Sequence, residues 1–192
     1  MHLYVVFSFE NNRIRTLPVN IYLYWSNMKI GGMVIVSITK FSHIGITVPD
    51  IQKAITFYTS VFGWEVIKEA KEIIENGNKT MRLTEVFGAG WGSFKVAHLL
   101  TSDKIGIELF EFPAETHSKG TFEYKKTGLF HFCVQSSNPE GLMEKIIENG
   151  GKQRMPIREH YPNEKPYRMV FCEDPFGVVF EIYSHDYDEI NS

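Results

Sequence analysis

Residues 41 to 66 read FSHIGITVPDIQKAITFYTSVFGWEV, and the pattern in this stretch decides the architecture. Up to Ile46 the residues alternate as a half-buried strand does. Pro49-Asp50 is a helix start, and Ile51, Ala54, Ile55, Tyr58 and Phe62 follow at helical spacing before Gly63 closes the helix. A second stretch, LFHFCVQSSNPEGLMEKIIENGGKQR at 129 to 154, repeats the plan. It has a strand with a central histidine, a Ser-Asn-Pro start, Leu142, Met143, Ile146 and Ile147, and a closing Gly150-Gly151. His43 to His131 (131 − 43) and Gly63 to Gly151 (151 − 63) share one offset of 88 positions, which two unrelated elements would rarely reproduce.

Strand-like segments continue each unit, at about 80–86, 93–100 and 105–112 in the first and about 153–157, 167–172 and 177–184 in the second. The closing strands match, IGIELFEF with Ile107-Glu108-Leu109-Phe110 and GVVFEIYS with Phe180-Glu181-Ile182-Tyr183. The chain is therefore expected to be α+β, with two tandem strand-helix-strand-strand-strand (βαβββ) modules. Each module opens on a strand bearing a histidine and ends on a strand bearing a glutamate.

Glu181 stands among Val178, Val179, Phe180, Ile182 and Tyr183, and an ionised carboxylate in an apolar strand is costly unless it turns to solvent, meets a cation or ligates a metal. Taken alone it reads as a surface glutamate. Paired with its twin Glu108, and with His43 and His131, it reads as one of four ligands to a single divalent cation between the modules. Imidazole nitrogen with carboxylate oxygen serves Zn, Ni, Co, Mn or Fe and does not choose among them.

The net charge of −3, from 20 basic and 23 acidic residues, and the scatter of the basic ones argue against a nucleic-acid partner. No apolar run reaches the roughly 18 residues a membrane span needs, and the N-terminus lacks a signal-peptide pattern. Cys133 and Cys172 read as small buried fillers in a reducing compartment, so the expected location is the cytoplasm. Residues 1–36 read as an extension, 37–185 as one domain (module one 37–113, module two 127–185) and 186–192 as a tail.

HIGITVPDIQKAITFYTSVFGWEV, IELFEF, FHFCV and EDPFGVVFEIYS resemble the vicinal-oxygen-chelate superfamily of glyoxalases, methylmalonyl-CoA epimerases, extradiol dioxygenases and bleomycin- or fosfomycin-resistance proteins. The resemblance covers about residues 38 to 185. It implies a cupped mixed sheet around a metal, with His43, Glu108, His131 and Glu181 at the ligand positions of the glyoxalase and epimerase branches, and a small-molecule substrate. Extradiol dioxygenases use two histidines and one carboxylate, so Glu108 favours the former branches. The implied activity is that of a lactoylglutathione lyase-like lyase or isomerase, acting by proton transfer through a metal-stabilised enediolate with Glu181 or Glu108 as base. The alternatives are an acyl-CoA epimerase, a ring-cleaving dioxygenase and a non-catalytic antibiotic-binding protein. A homodimer is implied by resemblance as well. Thr47 and Phe112 stand near the places where glutathione-binding glyoxalases carry Arg and Asn, which speaks against glutathione as the thiol.

Four further residues are candidates for substrate contact: Arg158, Tyr167 and Arg168 in the segment 154–170, and His98 on an apolar strand. Gly88, Gly90 and Gly92 around Trp91 fit either a flexible lip or a tight hairpin. Glu111, three positions from Glu108, falls on the opposite face.

Overall fold

Asp50 and Gly63 bound the first helix as their chemistry requires. The Asp50 carboxylate accepts the Lys53 backbone N–H, and Gly63 takes the left-handed conformation (φ 68°) while its N–H reaches Thr59 O. Asn138 does the same for the second helix, accepting the Gly141 N–H ahead of Pro139. The computed structural model describes residues 5–10, 13–16, 35–36, 39–113 and 124–192. They fall into two units, Met1–Phe41 and Ser42–Ser192. In the first, β1 (Val5–Glu10) pairs antiparallel with β2 (Arg13–Thr16) and with β3 (Ile35–Val36).

The second unit has a mixed α+β architecture of two βαβββ modules. Module one contains β4 (His43–Thr47), α1 (Ile51–Phe62), β5 (Glu65–Ile74), α2 (Met81–Phe87), β6 (Ser93–Leu100) and β7 (Gly106–Glu111), in sheet order β4-β7-β6-β5. Module two contains β8 (Phe132–Gln135), α3 (Pro139–Glu148), β9 (Lys152–Gln153), β10 (Arg158–Tyr161), β11 (Lys165–Glu173) and β12 (Val179–Tyr183), in order β10-β11-β12-β8 with β9 also on β11. In each module the first strand lies parallel to the last, β4 on β7 and β8 on β12. The opening histidine and the closing glutamate are thereby brought to one end of each sheet. A short α4 (Tyr187–Ile190) follows, with Ile190 fully buried.

Two expected strands differ, 80–86 and 153–157, the latter being mostly the connection between β9 and β10. Residues 80–86 form most of helix α2 rather than a strand, and the second strand of module one is β5. The β5 sequence EVIKEAKEII hides its alternation because its pairing with β6 shifts register twice, between Val66 and Lys68 and between Lys68 and Lys71. In α2 the alternating Met81 and Leu83 mimic a strand, but the helix docks Phe87 on Phe94 (5.7 Å) and Phe112 (5.9 Å). The segment 154–170 also contains a hairpin, β10 to β11, with Asn163 at φ 65° in the turn.

One apolar core serves both modules. Helix α1 buries Ile51, Ala54, Ile55, Phe57, Tyr58 and Val61 and packs against α3. Phe62 meets Phe180 edge to face at 5.3 Å, and Tyr58 stacks on Trp64 at 5.1 Å. The Tyr58 hydroxyl donates to Asp174 Oδ2 at 2.8 Å, a contact between modules in a nearly water-free place. Asp174 Oδ1 accepts the N–H groups of Phe176 and Val178, which shapes the turn into β12. Strand parity then fixes the faces. Ile107, Leu109, Phe180 and Ile182 join the core, while Glu108 and Glu181 point to the opposite faces of their sheets.

Candidate metal centre

Glu108 occupies the centre of module one's open face. On β7 it pairs across the sheet with His98 of β6 and with Gly45 of β4. Its two carboxylate oxygens face different imidazoles: Oε2 lies 3.9 Å from His43 Nε2, and Oε1 lies 3.5 Å from His98 Nδ1. His43 stands opposite Gly106, where a Cβ would come within 3.0 Å of the His43 Cβ, so a bare backbone at 106 makes room for the histidine. Further along the same face Phe94, Phe110 and Phe112 form an aromatic wall, with ring centroids 5.4 to 6.3 Å apart. Phe87 and Trp91 cover part of it. The intervening glycines are tied down, because the N–H groups of Gly90 and Gly92 both donate to the Glu75 carboxylate.

Module two presents the matching pair. His131 immediately precedes β8, and its Nε2 lies 3.5 Å from Glu181 Oε2. Glu181 is only 5% exposed, between Phe171 of β11 and Cys133 of β8. Burial pushes its carboxyl up to about 7, against the pull of a Tyr183 contact, because the charged form loses hydration. Burial also lowers His131, because the charged imidazolium loses hydration there. Its Nδ1 is buried without a hydrogen-bond partner. An imidazole beside a buried carboxylate is a donor set suited to a divalent cation.

The other expected site residues divide by face. His98 lies beside Glu108. Tyr167 shares the face of Met169, Phe171 and Glu181, with its ring 4.3 Å from His185. Arg158 stands opposite Met169 on that face and is exposed. Arg168 belongs to the other face with Val170 and Cys172, where its guanidinium pairs with Glu140 of α3. The structure therefore corrects its expected place, since the one-residue step along β11 turns it away from Glu181. Cys133, expected in the core, is exposed and lies opposite Glu181, whereas Cys172 is buried. Glu111 is on the helix side, where it accepts the Ile51 N–H at 2.8 Å and pairs with Lys95. The aromatic wall went unread in the sequence, although Phe110 and Phe112 at strand spacing after Glu108 were its signal.

Among the described residues no three His, Cys, Asp or Glu side chains of one chain converge as a metal ion would require. The donors form two half-sites, His43 and Glu108 with His98 in module one, and His131 and Glu181 in module two. A surface cleft between Gln52, Lys53, Thr56 and Phe57 of α1 and Asn149 and Pro175 contains neither.

A family model described as the Glyoxalase/Bleomycin resistance protein/Dioxygenase superfamily matches residues 40–182, about three quarters of the chain. The chain belongs to that superfamily. Its fold is shared with a glyoxalase family protein from Bacillus cereus, at 16% identity and a TM-score of 0.59 over 76% of this chain and 93% of that one. The fosfomycin resistance protein FosX from Listeria monocytogenes aligns at 21% identity and a TM-score of 0.53, covering 79% and 95%. A variant of glyoxalase I from Zea mays aligns at 19% and 0.51, covering 76% of this chain and 45% of that one. At these identities the likeness is one of fold. No curated protein sequence matches the chain significantly. Among the described residues no helix is long and apolar enough to cross a membrane.

Proposed function

We propose that this superfamily member is a divalent-metal-dependent lyase or isomerase of glyoxalase type, in which His43, Glu108, His131 and Glu181 hold the metal. The observation that carries this reading is Glu181, a carboxylate 5% exposed and 3.5 Å from the imidazole of His131, whose buried Nδ1 has no hydrogen-bond partner. Its repeat twin, Glu108 with His43, faces the same way relative to its own sheet. FosX, a structural neighbour, has been crystallised with Mn(II), which supports a metal in this fold.

The two half-sites are brought together between two copies of the chain. Three features support this arrangement. The modules pack through α1 and α3, and β4 and β8 are the terminal strands of their sheets. Apolar Leu129, 71% exposed, lies just ahead of the β8 edge. An antiparallel or parallel meeting of β4 with the β8 of a second copy sets His43 and Glu108 against His131 and Glu181.

When bound, a divalent ion supplies Lewis-acid polarisation of neighbouring oxygens on a small substrate. Glu181, set between Phe171 and Cys133, takes the proton from the adjacent carbon and returns it. The aromatic wall of Phe94, Phe110 and Phe112 excludes water from the same face. The acyl-CoA epimerase reading uses the same four ligands and the same proton transfer. The test is to measure bound metal, then assay hemithioacetal isomerisation and solvent deuterium exchange into 2-methylmalonyl-CoA with and without Ni²⁺, Co²⁺ or Zn²⁺. Metal-dependent turnover of a hemithioacetal supports the glyoxalase reading, and exchange into the thioester alone supports the epimerase. A chain that takes up no divalent ion overturns both.

A further inference from the structure

The two glutamates have different cross-strand neighbours, and the difference falls at equivalent places. Glu181 of β12 pairs with Phe171 of β11, whereas Glu108 of β7 pairs with His98 of β6. The fold therefore tolerates an apolar ring at this position, and a histidine there is a feature of module one. His98 Nδ1 lies 3.5 Å from Glu108 Oε1 while Oε2 of the same carboxylate is turned toward His43. The side chains of His98 and Glu108 are similarly accessible, at 27% and 29%, so both sit at the wall of the open face rather than in the core.

Resting on the four-ligand reading above, we propose that His98 is a positioning residue for Glu108. It donates from Nδ1 to Oε1 and so holds Glu108 with Oε2 turned toward His43, the oxygen that would be offered to a bound metal. A carboxylate on a two-carbon stem has three side-chain torsions, and without a second partner it swings between one- and two-oxygen ligation. Oriented by His98, the lone pair of Oε2 stays directed to the point that His43 also faces. Glu181 has Phe171 at the equivalent cross-strand place, and its own side-chain partner is Tyr183 of the same strand rather than an imidazole of the neighbouring one. His98 touches neither metal nor substrate in this role, which distinguishes it from the ligands.

The experiment compares wild type with His98→Phe, which copies module two's solution, and with His98→Asn, which keeps a donor of similar reach. Metal-free proteins are titrated with Co²⁺, recording affinity and the visible absorption of the bound ion. His98→Phe is expected to bind Co²⁺ about 10- to 100-fold more weakly and with an altered absorption envelope, and His98→Asn to recover most of both. Thermal melting of the metal-free variants should match wild type, since His98 lies on the open face, 27% accessible, rather than in the core. Affinity and spectrum unchanged within about threefold in His98→Phe, on a wild type that binds Co²⁺, would overturn this inference and leave the four-ligand reading standing. A wild type that binds no Co²⁺ overturns both. If His98→Phe melts early, the Asn variant alone decides, because loss of affinity with no rescue also contradicts a donor role.

Discussion

Replacing Glu181 with Gln should stabilise the metal-free chain at alkaline pH while removing its affinity for metal. Burial lifts the Glu181 carboxyl from 4.5 to about 7. At about 1.4 kcal/mol per pH interval, the gap corresponds to about 3 kcal/mol against folding once the group is ionised. The sign follows from proton counting. Between pH 4.5 and about 7 the folded chain holds this proton and the unfolded chain does not, so stability falls as pH rises through that window. The penalty is absent below the window and complete above it. Glutamine is isosteric and uncharged, but its buried amide still needs partners, so the expected gain is about 1–3 kcal/mol at pH 8 and about zero at pH 4. Urea denaturation in a chelator, at the two pH values with equal m-values, measures it. Adding metal at about 100 times its dissociation constant should then raise wild-type stability by about 2.7 kcal/mol and leave Glu181→Gln unchanged. A stability difference that does not vary with pH, or a variant less stable than wild type at pH 8, would refute the assignment of Glu181 as a buried carboxylate awaiting a cation.

Two further outcomes test the frame that holds the site. Tyr58→Phe removes the hydroxyl that donates to buried Asp174 and leaves one carboxylate oxygen without that partner, at an expected cost of about 1–3 kcal/mol. Burial already raises Asp174, so the loss should be larger at pH 8, where the group is charged, than at pH 4; equal losses would count against the contact. Gly106→Ala places a Cβ 3.0 Å from the His43 Cβ, and should weaken Co²⁺ binding about tenfold with little change in melting; unchanged affinity would show that His43 has room to move.

The nearness of His43 to Glu108 and of His131 to Glu181 was legible because the repeat made each pair a control for the other, and because period-two strands state which face a residue takes. The helices were legible from Asp50, Gly63 and Asn138, whose capping chemistry is local. What escaped depended on partners distant in sequence. The charged strand β5 shows no alternation because its register slips twice against β6. Arg168 was grouped with Tyr167 by proximity in the chain, yet a single step of strand parity carries it to Glu140. The pairing of His98 with Glu108 follows from the short turn at 101–105 between β6 and β7, where Lys104 adopts φ 64°, and no pattern in either strand announces it. Packing through α1 and α3, rather than along β4 and β8, is set by Tyr58, Phe62, Asp174 and Phe180, residues that individually read as ordinary core or turn.

Subunit complementation tests the central claim most directly. One variant carries His43→Ala and Glu108→Gln, disabling module one; the other carries His131→Ala and Glu181→Gln, disabling module two. Each alone should bind no Co²⁺. Co-folded, the two should regain one site per mixed pair, because the intact module one of one chain meets the intact module two of the other. A mixture that stays metal-free beside a wild type that binds, or single variants that bind as wild type does, would contradict a metal centre built from these four residues between two copies.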